Sequence, residues 1–207
     1  MRGRRLIGLG LSVAIGAAAC GSGSEVPSGL QGFTYAERVA KPDFVLTDTG
    51  GNSFDFQEET KGRLTLLFFG YVNCPDVCPV QLGQLSQVFA SHPDLGRAAT
   101  VVFVGVDHAR DTPEAVRAYL DKFDSRFIGL VGDATSLEAA QLAAAIPVAY
   151  REQLPEVDEE NPQFYTYAHA GTVLAFAPDG YSYSTYPMGV RQSEWVNDLT
   201  ILADIGA

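Results

Sequence analysis

Two cysteines four residues apart, Cys74 and Cys78 in the stretch FFGYVNCPDVCP, are the groups in this chain best suited to chemistry. The run Leu64 to Tyr71 before them is apolar without clean alternation, the pattern of a strand buried on both faces of a mostly parallel sheet. Gly70, Asn73, Pro75 and Pro79 then stop it, and proline suits a first helical turn, where its missing N–H would be unpaired anyway. A helix opening near Pro75 places Cys78 in its first turn and Cys74 just before it, on the same side. The unpaired N–H groups and partial positive charge of a helix N-terminus favour thiolate over thiol. Two adjacent thiolates can close on Cu(I) or zinc, or oxidise to a disulfide. The spacing leaves all three open.

The surrounding pattern predicts the frame that holds this pair. Residues 44–48 and 53–56, separated by Thr49-Gly50-Gly51-Asn52, predict a hairpin, with the folded part starting near Pro42. Leu82, Leu85, Val88 and Phe89 at helical spacing predict a helix over 79–90. Residues 100–107 predict a second buried strand, and 113–123 an amphipathic helix capped by Thr112 or Asp111. A short strand over 127–131 and a helix over 136–146, capped by Thr135 or Ser136, follow. Residues 153–162 are acidic and read as a solvated loop, with partner docking as the sharper alternative. A strand over 171–177, a turn at Pro178-Asp179-Gly180, a returning strand over 181–187 and a helix over 193–205 complete the chain. This alternation predicts an α/β fold, a thioredoxin-like (peroxiredoxin-like) sandwich with an N-terminal β-hairpin.

Composition narrows the function classes. A chain of 207 residues with 46% hydrophobic content supports one well-buried core. A net charge of −11 leaves no basic stripe for phosphates and excludes a nucleic-acid binder. Residues 1–19 have a basic start and an apolar run too short for a bilayer span, as in an export signal. Ala17-Ala18-Ala19-Cys20 resembles a bacterial lipobox, although leucine is usual where Ala17 stands. The expected mature chain starts at a lipidated Cys20, on the outer face of a bacterial cytoplasmic membrane. Loss of Arg2, Arg4 and Arg5 would lower the charge by three, from −11 to −14. Gly and Ser beyond Cys20 predict a flexible tether over 20–40 and a folded domain over 41–207. Without an apolar interface stripe, a monomer is expected.

Export leaves Cys74 and Cys78 as the remaining thiols in an oxidising compartment. A disulfide closing so short a loop removes little chain entropy, so redox or metal chemistry explains the pair better than stabilisation. A third functional group must be sought among His92, His108 and His169. His92 sits in a helix-ending turn. His169 immediately precedes the strand over 171–177, and in a thioredoxin-like fold the loop entering that strand faces the cysteine turn.

Three stretches resemble the Sco/SenC family of copper-binding, thioredoxin-like proteins required for cytochrome c oxidase assembly. They are FFGYVNCPDVCP at 68–79, VDHARDTPE at 106–114 and HAGTVLAFAPDG at 169–180. The resemblance implies that Cys74 and Cys78 are copper thiolates and His169 the third ligand, a donor set suited to Cu(I) or Cu(II). It gives Asp107 a role in tuning those ligands, against the simpler reading of a loop-capping carboxylate. The chain departs from the family pattern at His108, where proline is common, and at Ala168, where aspartate is frequent. His108 is an auxiliary metal contact only as the minor alternative. The implied role is a metallochaperone delivering copper to the dinuclear site of the oxidase's copper-bearing subunit, with another copper chaperone or a thioredoxin-like reductase as a further partner. The competing class is a membrane-tethered thiol–disulfide reductase, in which Cys74 and Cys78 form the redox-active pair.

Overall fold

The computed structural model describes residues 26–152 and 165–206. The expected signal segment, Cys20 and the acidic run 153–162 lie outside the described residues. In chain order the elements are β1 (Phe33–Ala40), β2 (Val45–Asp48), β3 (Ser53–Asp55), α1 (Phe56–Glu59), β4 (Leu64–Gly70) and α2 (Val77–Ser91). There follow α3 (Pro93–Ala98), β5 (Ala99–Gly105), α4 (Pro113–Leu120), β6 (Ile128–Val131) and α5 (Ala134–Ala143). The last are β7 (Tyr150–Glu152), β8 (Thr166–Ala168), β9 (Val173–Phe176), β10 (Tyr181–Tyr186) and α6 (Gln192–Ala203).

The two most apolar runs form the centre of the sheet. All seven residues of β4 and all seven of β5 are buried, so both sheet faces are covered there. The eight-stranded sheet has the order β1-β10-β9-β4-β5-β6-β2-β3. β4 and β5 run parallel in register from Leu64↔Ala99 to Gly70↔Gly105, and β5 pairs parallel with β6. β9 lies antiparallel to β4, and the expected β2–β3 hairpin joins the sheet through β2 and β6. Parallel alignment brings the C-terminal ends of β4 and β5 to one edge. The cysteine turn and residues 106–111 therefore emerge side by side, where ligands commonly bind in such sheets.

Local chemistry sets the helix boundaries. The Asp76 carboxylate accepts from the Val77 N–H and opens α2, which buries Cys78, Gln81, Leu82, Leu85, Val88 and Phe89. Thr112 caps α4 as expected, with Pro113 in its first turn. α5 is capped by Asp133, whose Oδ1 accepts from Ser136 N at 2.8 Å, rather than by Thr135 or Ser136. α6 packs Trp195 onto Tyr186, ring centroids 4.3 Å apart.

Part of the stretch expected as tether, residues 33–40, is a strand; residues 20–25 lie outside the described residues. Phe33–Ala40 is a strand on the sheet edge, pairing with β10 from Phe33↔Thr185 to Ala40↔Tyr181. Before it, the N–H groups of Gln31 and Gly32 donate to the buried Asp198 carboxylate at 2.8–3.0 Å. The same carboxylate accepts from the Tyr186 hydroxyl at 2.9 Å. β1 escaped notice because an edge strand with an exposed face shows no long apolar run, and most of its residues are exposed.

Candidate metal centre

β4 ends at Gly70, where no larger residue fits without displacing its neighbours. A Cβ there would lie 2.7 Å from Cys78 Sγ and 2.8 Å from Phe103 Cε2. The chain turns with Cys74 N donating to Tyr71 O at 3.1 Å, then enters α2. Cys78 is the second helical residue, and its N–H points at Cys74 Sγ, 3.4 Å away. The Cys74 sulfur thus receives an otherwise unpaired amide of the helix N-terminus, as the spacing anticipated. Cys74 is 8% exposed, Cys78 fully buried, and both are free thiols.

His169 completes the group from the segment just after β8. Its Nε2 lies 3.7 Å from Cys74 Sγ and 3.6 Å from Cys78 Sγ. Its Nδ1 lies 3.0 Å from the Phe69 carbonyl oxygen, which can only accept a hydrogen bond. That contact therefore places a proton on Nδ1 and turns Nε2 toward the sulfurs. Tyr71 packs edge-on against the imidazole, 5.5 Å between centroids at 89°. The three ligand atoms lie within 4.8 Å of one another. Bonds of about 2.0–2.3 Å to imidazole and thiolate put neighbouring ligand atoms roughly 3.5–4 Å apart around one ion, so the group fits a metal with little movement.

The two thiols have opposite acid strengths. Cys74 is pulled down to about 4, chiefly by a hydrogen bond from the Cys78 thiol, against the cost of burial and with help from His169 and the Cys78 N–H. Cys78 is pushed up by burial and by the charge on Cys74. For His169, burial disfavours the charged ring, but the hydrogen bond and charge of Cys74 outweigh it and the pKa is raised. Closing this group on a metal must displace the Cys78 proton.

Asp107 is fully buried at the end of β5. Its carboxylate pairs with Arg110 and accepts from the Tyr165 hydroxyl at 2.9 Å. Tyr165 leads directly into β8, so Asp107 is linked to His169 through that strand. His108 is exposed and is not part of the Cys74–Cys78–His169 group. His92 lies at the junction of α2 and α3, with Nδ1 3.3 Å from the Val88 carbonyl.

Two residues beside the centre went unrecognised in the sequence. Asp111, considered there only as a helix cap, accepts from Val72 N at 3.1 Å and Asp107 N at 3.2 Å, clipping the cysteine turn to the loop after β5. Burial pushes its carboxyl up to about 7. Gln81 is fully buried and donates from Nε2 to the carbonyls of Gly171 at 3.1 Å and Tyr186 at 3.0 Å, fixing the chain beyond His169. Its position three residues after Cys78, within a helix face that buries Cys78, Leu82 and Leu85, was the available signal.

A sheet of this order with two cysteines where a central strand meets a helix defines a thioredoxin-like protein, here with an imidazole brought to the sulfur pair. The family model SCO1/SenC matches residues 34–204, and the chain belongs to that family. A putative copper-binding protein of Stutzerimonas stutzeri is 32% identical over 142 residues, covering 68% of this chain and 66% of that protein. The structure of Bradyrhizobium japonicum ScoI with copper bound is 30% identical, with a TM-score of 0.67 over 79% of this chain and 99% of that one. Apo Sco1 from Thermus thermophilus superposes with a TM-score of 0.70 at 26% identity, over 83% of this chain and 95% of that one. The matches span 44–66% of the length of the first curated relatives.

Proposed function

We propose that this protein is a copper chaperone that carries one copper ion on Cys74, Cys78 and His169 and passes it to the dinuclear copper site of cytochrome c oxidase during assembly. The observation that carries the reading is the imidazole of His169, its Nε2 nearly equidistant from two sulfurs and its Nδ1 occupied by the Phe69 carbonyl. Soft thiolates favour Cu(I), and the imidazole permits Cu(II) as well. Copper is the cargo. The chain supplies a thiolate ready at Cys74 and a proton to release at Cys78, and ligand exchange with the acceptor's own side chains moves the ion on. Membership of the SCO1/SenC family, and relatives described as copper-binding or with copper bound, support this assignment. In the same reading residues 1–19 are an export signal, Cys20 carries the lipid, and the protein is a monomer confined to the membrane surface that holds the acceptor.

Copper stoichiometry and X-ray absorption of the reduced protein test the proposal. One sulfur-coordinated copper per chain is expected, falling sharply in Cys74→Ala, Cys78→Ala and His169→Ala. Absence of sulfur-bound copper in the reduced wild type refutes it. A second reading, reduction of the acceptor's cysteines, draws support from the opposed thiol acidities, which suit an attacking and a resolving cysteine. In that case His169→Ala keeps reductase turnover and the transfer role is secondary.

A further inference from the structure

The strand that carries His169 is not part of the main sheet. β8 pairs only with β7 among the described residues, from Tyr150↔Ala168 to Glu152↔Thr166, in a separate two-stranded sheet. A ribbon of this kind is marginal alone, so something else must hold it. Strand alternation places Tyr165, Tyr167 and His169 along one face. Tyr167 meets the Tyr71 ring at 5.8 Å, and Tyr165 meets Tyr167 at 5.9 Å. The outer end of the row is tied by charge. The guanidinium of Arg110 lies 3.6 Å from the Tyr165 ring centre and that of Arg151, on β7, lies 3.9 Å from it. The Tyr165 hydroxyl donates to buried Asp107, and Arg110 Nη2 donates to the Tyr165 carbonyl at 3.2 Å. Beyond His169, the chain is pinned again where Gln81 holds the Gly171 carbonyl.

We propose that Tyr165, clasped by Arg110, Arg151 and Asp107, is a positioning residue that sets whether the His169 imidazole stands within reach of the two sulfurs. The inference rests on the reading of His169 as a copper ligand. His169 sits between an attachment at Gly171, held by the buried Gln81 side chain, and a half-exposed clasp at Tyr165. Release at the clasp lets β8 pivot about the Gly171 end and takes the imidazole with it. The two thiolates stay behind on α2 and its N-terminal turn, leaving copper in a two-sulfur site that an acceptor can attack.

The test uses the full chain, reduced, with Tyr165→Leu, Tyr165→Phe and Arg151→Gln. The last changes an exposed strand position and leaves the core untouched. Copper affinity is read by competition with a chromogenic Cu(I) chelator, and the His169 ring by imidazole NMR of the metal-free protein. Tyr165→Leu is expected to weaken copper binding about tenfold, equivalent to about 1.4 kcal/mol, with smaller losses in the other two. All three should shift the metal-free imidazole signals. In a His169→Ala background Tyr165→Leu should cost nothing further, because the clasp acts only through that ring. Equal loss in both backgrounds, or unmoved imidazole signals in Arg151→Gln and Tyr165→Phe, overturns the proposal. If His169→Ala itself leaves copper affinity unchanged, the chaperone site has failed instead, and the imidazole signals alone then decide the clasp.

Discussion

Gly70→Ala tests the candidate metal centre without replacing a proposed ligand. The added methyl would stand 2.7 Å from Cys78 Sγ and 2.8 Å from Phe103 Cε2, where ordinary contacts are about 3.5 Å or more. Cys78 Sγ must therefore retreat by roughly 0.8 Å, or β4 must shift against β5. Both are fully buried neighbours with nowhere soft to move, and overpacking of that kind costs about 1–3 kcal/mol. For a chain of this size each kcal/mol lowers Tm by about 2–4 °C, so the metal-free variant should melt roughly 2–12 °C below wild type. Metal–ligand lengths tolerate only about 0.2 Å, so the displaced sulfur should also weaken Cu(I) binding by about tenfold or more, although all three ligands remain. Calorimetry of the metal-free protein and chelator competition measure the two effects. Wild-type melting together with wild-type affinity would show that the end of β4 does not set the position of Cys78, and the account of this centre would be wrong.

Iodoacetamide at pH 6 should modify Cys74 in the metal-free protein and leave Cys78 unlabelled, because Cys74 is pulled down to about 4 and Cys78 is buried and pushed up; equal labelling by mass spectrometry contradicts this. Asp111 has its folded pKa raised to about 7 from an unfolded value of about 3.9, so its contribution to stability is fully present below the unfolded value and is lost as pH rises through 7. The Tm of Asp111→Asn relative to wild type should therefore move upward between pH 4 and 7; a pH-independent difference counts against the buried carboxyl. Gln81→Leu removes the donor to two carbonyls, each costing about 1–3 kcal/mol if left unpaired, and should lower the denaturation midpoint while also weakening copper binding through the Gly171 attachment. A midpoint unchanged from wild type would mean that water replaces both bonds.

The parts legible in the sequence were those with strong local punctuation. Gly70, Pro75 and Pro79 mark the strand-to-helix turn so clearly that the relative placement of Cys74 and Cys78 followed from spacing, and the apolar runs of β4 and β5 marked the sheet centre. The approach of His169, 91 residues beyond Cys78, was legible only through the fold, since no local pattern links them. Short polar elements were missed for the same physical reason. β1, β7 and β8 owe their shape to partners distant in sequence rather than to a periodic apolar face. Asp111 and Gln81 were unreadable as members of the centre because their work is to satisfy main-chain groups of other segments, which leaves no spacing to detect. The Asp133 cap lost out to the neighbouring Thr135 and Ser136, which are equally good cap residues by type.

If Cys20 carries the proposed lipid, the fastening of Gln31 and Gly32 to Asp198 would limit how far the domain can roam. With Cys20 as the proposed lipid attachment, a leash reaching residue 41 would extend at most about 70 Å, whereas one stopping at Gln31 extends at most about 40 Å. A hemisphere swept by the shorter leash has roughly one fifth the volume, so under the proposed anchoring an acceptor in the same bilayer would encounter the carrier at a correspondingly greater local concentration. On the proposed reading of a lipid-anchored carrier, delivery would thereby be restricted to nearby recipients, and diffusion of the whole protein in the plane, rather than swinging of the domain, would be the way to reach the next one.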